Sequence, residues 1–304
     1  SHGWNIVDSM RGFPNAQDVQ DNASSQCKVL EANFDSAEIT GARYGLTPTG
    51  FYADQYGANR SYVYMAMRRP DPLVGKPAEA GTDVFAMDVG DNNSTIPEWY
   101  SEFPVDFGLF KATAANQDWY ASARLIQSQV LYPNVTNDED GYGDAVFDSN
   151  LGWGKSASGV YGTAYQSWMW KRHAGFDVVT YGGNQVSRTV NHSLNAVPEM
   201  IWSKDRTDNS DWIVYHKGLN GGTNPATKFL YLNKSDAENG WVVPWNNTEP
   251  TSVWYPVQAS TMFNKIGNNY ITMLFASVEG ISKVGYYTGT GNNQSVTTGF
   301  QPRF

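Results

Sequence analysis

The chain has 304 residues and a formal net charge of −9, and charged residues occupy only 17% of its positions. Because an acidic chain lacks the basic field that supplies most of the affinity for phosphate backbones, neither nucleic acid nor an anionic membrane is an expected partner. Aromatic residues reach 14%, and 29 glycines are available for turns. Aromatic rings fit a half-buried pleated surface, so this composition predicts strands rather than helices.

Strand-like segments recur along the chain between Gly-, Asn- and Pro-containing turns, and no segment of convincing length has helical periodicity. In chain order, the predicted strands are residues 4–10, 61–67, 83–89, 166–172, 177–183, 199–205, 212–218, 228–234, 269–275 and 283–289. The Pro- and Asn-rich stretch 240–256 is interpreted as a loop. The only cysteine, Cys27, allows no disulfide within the chain.

Two segments of the sequence match without a gap. Residues 85–119 align with residues 178–212, 93 positions later. Lys111 falls on Lys204, and both segments end in Asp-Trp. Because self-similarity at a fixed period marks repeated architectures, this match predicts tandem copies of one module.

A third copy completes the predicted organisation. The segment from Val284 resembles the start of the other copies, and residues 3–12 resemble their Trp strand. We therefore predict three domains, 1–84, 85–177 and 178–304, of which the first is divergent and begins within a module and the last ends within one. The expected fold is all-β, with tandem lectin-like β-sandwiches of the jelly-roll type. The unequal ends indicate either an excerpt of a longer array or completion by a neighbouring chain.

The repeated motifs resemble a module of the tail and fibre proteins of tailed phages, often marine phages. The segments that carry the resemblance are GFDVVTYGG (175–183), the Pro-x-Met-Ile to Asp-Trp run (191–219), TKFLYLNKSDA (227–237) and the Gly-rich end (269–289). The resemblance is strong over 175–304, moderate over 100–174 and weak over 1–99.

The resemblance implies a non-enzymatic structural role in a virion, as part of a tail, fibre or other surface appendage, with host attachment through a glycan or receptor. It also implies assembly in the bacterial cytoplasm, with copies of itself and other virion proteins as partners. It supplies no catalytic residues. The alternatives are a carbohydrate-binding or polysaccharide-degrading module of a bacterial surface or secreted protein, and a capsid decoration protein.

Carboxylates are the candidate residues for catalysis and for metal binding. Glycoside hydrolysis needs two facing carboxylates, but spacing alone does not show convergence. The candidates are Asp138, Glu139, Asp140 and Asp144 in the acidic loop, or Glu98 and Glu102. Calcium prefers several oxygen ligands from flexible loops, and Asp138, Asp140 and Asp144 are candidate ligands. The loop does not fit the EF-hand pattern, and a solvated acidic turn is the alternative. No other cofactor is expected, and the histidines lack metal-ligand spacing.

Aromatic residues crowd the stretch 240–256. The candidate binding residues are Trp241, Trp245, Trp254 and Tyr255. Such rings stack on the C–H faces of sugars or anchor protein interfaces. The alternative is that they fill the core of the sandwich.

Overall fold

The computed structural model shows an all-β fold of antiparallel sheets, as the composition predicts, with no α-helix in the residues it describes. Those residues are 5–8, 28–31, 37, 39–40, 44–47, 50–53, 64–66, 80–91, 96–126, 128–154, 164–173, 175–240 and 244–302. The divergent first copy therefore lies largely outside the described residues. None of the helical turns within them is long and apolar enough to span a bilayer.

The N-terminal part contributes two small antiparallel units. Strand β1 (Asn5–Ile6) pairs with β2 (Lys28–Glu31), which pairs with β3 (Ile39–Thr40). Strands β4 (Tyr44–Thr47) and β5 (Gly50–Ala53) form a hairpin. Units of two or three short strands are marginal alone and need packing against a larger body.

Sheet 1 is the four-stranded sheet of the middle of the chain. Its strands, in spatial order, are β6 (Phe85–Val89), β13 (Tyr165–Trp170), β8 (Phe107–Ala112) and β9 (Tyr120–Ala123). Two ladders flank it: β7 (Trp99–Tyr100) with β12 (Gly152–Trp153), and β10 (Gln129–Val130) with β11 (Asp140–Gly141). Short 3₁₀ turns occupy Gly81–Asp83 and Arg124–Ile126.

Sheet 2 follows with five strands. In spatial order they are β14 (Phe176–Gly182), β20 (Asn269–Phe275), β16 (Met200–Asp205), β17 (Ile213–His216) and β18 (Leu230–Tyr231). Strands β15 (Arg188–Asn191) and β19 (Trp254–Val257) form a separate ladder. Two 3₁₀ turns, Leu219–Gly222 and Pro225–Thr227, connect β17 to β18.

The two sheets share strand order, and they share register in the ladders among their second, third and last strands. In each, the first strand of the sheet pairs with the last, which pairs with the second, which pairs with the third. In sheet 1, Phe107 lies opposite Ala123. In sheet 2, the residues 93 positions later, Met200 and His216, lie opposite each other. This is the spacing of the sequence match. The ladder of the first strand differs by two positions: Phe85 lies opposite Trp170, whereas Val178 lies opposite Met273. A repeat of three whole copies stays a prediction.

Three β-bridges share one spacing as well. Val29 pairs with Ile39 in the N-terminal unit, and Val130 pairs with Asp140 beside sheet 1. Phe229 and Asn239 form an isolated bridge beside sheet 2. In each case the partners are ten positions apart, so a hairpin of one size recurs at three points of the chain.

The sheets bury both of their faces. One continuous apolar cluster, the central core, contains residues from the facing sides of both sheets: Leu109, Trp168 and Trp170 from sheet 1, and Trp202, Met273 and Phe275 from sheet 2. These are three pairs of corresponding positions, so the sheets pack through equivalent faces. Strand β14 shows this cover most fully, since every one of its residues is buried.

Each outer face has its own core. The outer face of sheet 1 packs on a cluster that includes Trp99, Phe110, Phe147, Trp153 and Met169. Gly108 is required here, since a Cβ at this position would lie 2.4 Å from carbons of the Trp153 indole. The outer face of sheet 2 packs on a cluster that includes Tyr181, Ile201, Tyr215, Tyr255 and Leu274.

Some predictions of local structure are wrong. Residues 283–289 have the alternating pattern of a strand but form no ladder with any described residue, and residues 64–66 of the predicted strand 61–67 do not either. Conversely, the stretch interpreted as a loop, 240–256, contains the start of β19. Alternation marks a chain that is able to pair, but a strand exists only where a partner supplies the hydrogen bonds.

Candidate functional site

The predicted aromatic binding residues are not gathered at one surface. Trp245 and Tyr255 are buried in the outer core of sheet 2, so their faces are closed to a sugar. Trp254 is half-buried, beside the exposed Asn191, its partner across the β15–β19 ladder. Trp241 lies outside the described residues. Of the three described residues, Trp254 is the one whose ring remains accessible to a ligand, and the prediction for Trp241 stays untested.

The pocket beside Trp245 is too small for a sugar ring. Its volume is about 20 Å³, the space of a single water molecule. The lining combines aromatic rings with polar groups: Tyr181, Tyr270 and Trp245 lie beside Ser203, Asp205 and Asp211. Asp205 is already engaged, since its carboxylate accepts hydrogen bonds from the Thr207 and Asp208 amides and from Asn268.

The candidate calcium ligands are not brought together into one cluster among the described residues. Asp138 and Asp140 are exposed, and Asp140 accepts a hydrogen bond from the Tyr132 hydroxyl. Asp144 lies instead near Glu98, whose pKa it raises. Among the described residues, no group of three or more acidic, His or Cys side chains has an arrangement that holds a metal ion.

The hairpin that carries these aspartates does have a structural partner, because it lies against sheet 2. Glu139 forms a two-point ion pair with Arg206: Nε to Oε2 is 2.8 Å and Nη2 to Oε1 is 3.2 Å. The Glu139 amide also donates to the Arg206 carbonyl at 3.0 Å. Arg206 is nearly inaccessible, so its guanidinium depends on this carboxylate for charge compensation.

Further polar contacts extend this junction, which we call the seam, between residues 132–139 and 204–212. The Trp212 indole, fully buried, donates to the Tyr132 carbonyl at 2.9 Å. The Thr136 carbonyl accepts hydrogen bonds from the Ser210 amide at 2.8 Å and from Lys204 Nζ at 3.3 Å. Burial lowers the pKa of the Lys204 ammonium to about 8. The seam therefore fixes sheet 1's hairpin on the turn between β16 and β17.

Equivalent ion pairs hold the start of the second strand in both sheets. In sheet 1, buried Asp106 binds Arg124 and accepts the Arg172 amide at 2.8 Å. In sheet 2, Glu199 binds Lys217, and its carboxylate accepts the Ser277 amide at 2.8 Å. Glu199 and Lys217 lie 93 positions after Asp106 and Arg124, so an ion pair occurs at equivalent positions of both sheets.

The lysines of the sequence match share a role too. Lys111 Nζ donates to the carbonyls of Ala115 and Gln117. Lys204 Nζ donates to the Asp208 carbonyl at 3.5 Å and to the Ser210 hydroxyl at 3.3 Å. Each lysine thus closes the polar turn that follows its own strand, and Lys204 reaches the seam in addition.

Glu98 is the most perturbed carboxyl among the described residues. Both of its oxygens are buried without a hydrogen-bond partner. Desolvation, followed by the charge of Asp91, raises the pKa of Glu98 from 4.5 to about 7, and Asp144 and Asp88 act in the same direction. The backbone of Asp91 offsets only part of this rise in the pKa of Glu98. The oxygens of Glu98 are closed to solvent in this arrangement, whereas the side chain of Glu102 is exposed.

Three histidines share a local arrangement. In His173, His192 and His216, Nδ1 accepts the backbone N–H two residues later. This assigns the proton of the neutral ring to Nε2. Burial lowers the pKa of all three imidazoles, to about 4 for His173, where Lys171 adds to the effect. They act as neutral turn caps.

The family model described as "Domain of unknown function (DUF7483)" matches residues 140–304, which is more than half of the chain. The chain belongs to this family. No curated protein and no solved structure matches the chain. The DUF7483 match contains all of sheet 2 and one side of the seam, Arg206 and Trp212, while Glu139 lies just before it.

Sequence reasoning missed the seam and Glu98's environment. The ungapped match did include Lys204 and Trp212 of the DUF7483 region, but a match between copies identifies equivalence and not contact. For Glu139, an acidic residue in an acidic loop carried no signal of a specific partner. Only the fold shows that Arg206 lies against it.

Proposed function

We propose that the chain is a structural component of a tailed-phage virion, part of the tail, a fibre or another surface appendage. It acts by packing and self-association rather than by catalysis. Its partners are further copies of itself and other virion proteins, and assembly takes place in the bacterial cytoplasm. A contribution to host attachment, through a surface glycan or receptor, extends the same role.

The observation that carries the proposal is the packing of two equivalent sheets through equivalent faces. Trp168 and Trp170 of sheet 1 and Met273 and Phe275 of sheet 2 occupy corresponding positions of one core. Polar contacts of the seam fix the relative position of the two sheets. A rigid unit in which every large sheet is covered on both sides suits an appendage that transmits force.

The family resemblance supplies the virion part of the proposal. It is strongest over residues 175–304, and the DUF7483 match spans that stretch. The net charge of −9 favours solubility and disfavours binding to the packaged nucleic acid.

The attachment part rests on Trp254. Its ring is half-buried and its strand neighbour across the ladder, Asn191, is exposed. An aromatic face next to an amide is the combination that sugars use for stacking and hydrogen bonding. This is the position at which we place glycan contact.

The experiment is immunogold electron microscopy on particles of the phage that carries the gene, with antibodies raised against the purified chain. The expected result is discrete labelling of the tail, fibres or another appendage. Antibodies preabsorbed with the purified chain provide the control. Labelling confined to the host envelope or to material released into the medium would overturn the proposal and favour a bacterial surface or secreted protein.

A further inference from the structure

After β20 the chain becomes exposed beyond Val284, which is itself buried and whose amide donates to the Ser277 hydroxyl at 3.0 Å. Residues 285–297 are all exposed, and in particular the side chains of Tyr286 and Tyr287 keep 63% and 69% of their accessible surface. Tyr286 is nonetheless held in place: its ring meets the His216 ring edge-on at 6.3 Å between centroids, directly over Gly218. The segment is therefore positioned by the domain but forms no ladder with a described strand.

Its sequence is that of the first strand of a sheet. Val284–Tyr287 corresponds to Val178–Tyr181 of β14 in the sequence match. In both large sheets the first strand lies at the edge and pairs only with the last strand, β6 with β13 and β14 with β20. The partner expected for Val284–Tyr287 is accordingly a strand of the β13 and β20 type.

One such strand is also without a ladder. Residues 64–66 belong to the segment of the first copy that corresponds to β13 and β20, with Met65 at the position of Trp168 and Met273. Tyr64 and Met65 keep 77% and 82% of their accessible surface. Among the described residues, 64–66 and 284–287 do not pair within one chain.

We propose that Val284–Tyr287 of one copy pairs antiparallel with Tyr64–Ala66 of a second copy. We take the register from sheet 2, the sheet that precedes the segment, where Met273 lies opposite Val178; in sheet 1 the match of Val178, Phe85, lies opposite Trp170 instead. It places Met65 opposite Val284. Since the two segments are different parts of the chain, the contact is head-to-tail, and its repetition produces a ring where the rotation closes and a filament where it does not.

Main-chain hydrogen bonds give such strand addition its affinity, and side chains alternating across the strands give it register. This inference deepens the proposed function, on which it rests only for self-association. The strand pairing does not depend on where the chain lies in a virion. Either proposal can therefore be rejected by experiment while the other stands.

The test is disulfide cross-linking in the full chain, with Cys27→Ser as background so that no native thiol competes. Met65→Cys and Val284→Cys are introduced in separate, differently tagged preparations, which are mixed and oxidised. Directly opposed residues on paired strands lie within the Cα separation that a disulfide requires. Tyr64→Cys replaces Met65→Cys as the matched control, because its side chain points to the other face.

The expected result is a heterodimer that forms several-fold faster with Met65→Cys than with Tyr64→Cys, and a ladder of oligomers when both cysteines are in one chain. Equal rates for the two variants, or a product that is only an internally cross-linked monomer, would overturn the pairing. Because Val284 is buried whereas Met65 and Tyr64 are exposed, circular dichroism verifies that Val284→Cys in particular leaves the fold intact. Failure here together with positive virion labelling rejects the strand pairing alone.

Discussion

Asn134 and Asn233 lie 99 positions apart and make the same two hydrogen bonds. Each side-chain carbonyl accepts the backbone N–H of a tryptophan, at 2.8 Å for Trp119 and 3.0 Å for Trp212. Each side-chain amide donates to the aspartate before that tryptophan, at 2.7 and 2.8 Å. One polar clamp thus ties the third strand of both sheets to the hairpin that follows it.

Asn233→Ala removes both hydrogen bonds of the sheet 2 clamp, one of them to the charged Asp211. We expect the free energy of unfolding to fall by about 1–3 kcal/mol, measured by urea denaturation. Asn134→Ala is the matched variant in sheet 1 and should show a loss of similar size. The exposed Asn293→Ala is the control. If the free energy of unfolding of Asn233→Ala equalled that of the control, the two hydrogen bonds of the clamp would contribute nothing to stability.

Glu139→Ala leaves the buried Arg206 without its carboxylate. The expected loss of stability is about 2–4 kcal/mol, because an uncompensated buried charge is costly. The seam should also open locally, which accelerates hydrogen exchange of the Trp212 indole N–H in NMR spectra. Glu279→Ala, at an exposed position, should change neither quantity. Unchanged exchange at Trp212 in Glu139→Ala would contradict the role given to the ion pair.

Glu98 makes stability depend on pH near neutrality. Its pKa is about 7 in the fold and 4.5 ordinarily, so the folded state binds more protons between these values. Its stabilising contribution is present below pH 4.5 and is lost as the pH rises through 7. Glu98→Gln should abolish this component, so the stability of the variant relative to the native chain increases from pH 5 to pH 8, by about 2 kcal/mol. Parallel pH profiles would refute the assignment.

His173 acts in the opposite direction. Its pKa is about 4 in the fold and 6.5 ordinarily, so the unfolded chain binds more protons in between. Stability due to the neutral ring is present above pH 6.5 and falls as the pH drops towards 4. His173→Asn keeps a side-chain acceptor for the Gly175 amide but does not titrate. It should flatten the acid side of the stability curve, which thermal unfolding across this pH range measures.

Trp254→Ala tests the glycan contact. Binding to host-surface polysaccharide, measured by glycan array or calorimetry, should drop at least tenfold, since loss of one aromatic stacking partner removes roughly 1.4 kcal/mol or more of binding energy. Asn191→Ala should weaken binding less. A melting temperature close to that of the native chain is needed to attribute the loss to contact. Undiminished binding by Trp254→Ala would contradict the placement of glycan contact at this residue.

The all-β fold and most strands of the two large sheets were predictable, because buried strands leave apolar, β-branched and aromatic runs such as that of β14. The match at 93 positions also predicts the equivalence of β8 with β16 and of β9 with β17. It does not extend to β13 and β20, which are shifted by 105 positions: Trp170 lies opposite Phe107, and Phe275 lies opposite Met200. Loops of different length change the spacing without changing the ladder.

The candidate sites were less predictable for a physical reason. Trp245 and Tyr255 stand in a Pro- and Asn-rich sequence that is typical of loops, yet the outer core of sheet 2 needs large rings to fill it. Composition does not distinguish a ring that fills a core from one that meets a ligand. The acidic loop 136–148 shows the same difficulty. Adjacent carboxylates on a hairpin point in different directions, and Glu139 pairs with Arg206, which directly follows β16.

The measurement that tests the central claim most directly is quantitative mass spectrometry of density-gradient-purified virions. A structural role predicts peptides of this chain at a fixed stoichiometry relative to the tail proteins, retained through successive gradients. Peptides that stay in the host fraction or the supernatant, and whose ratio to tail proteins falls with each purification step, would contradict the account.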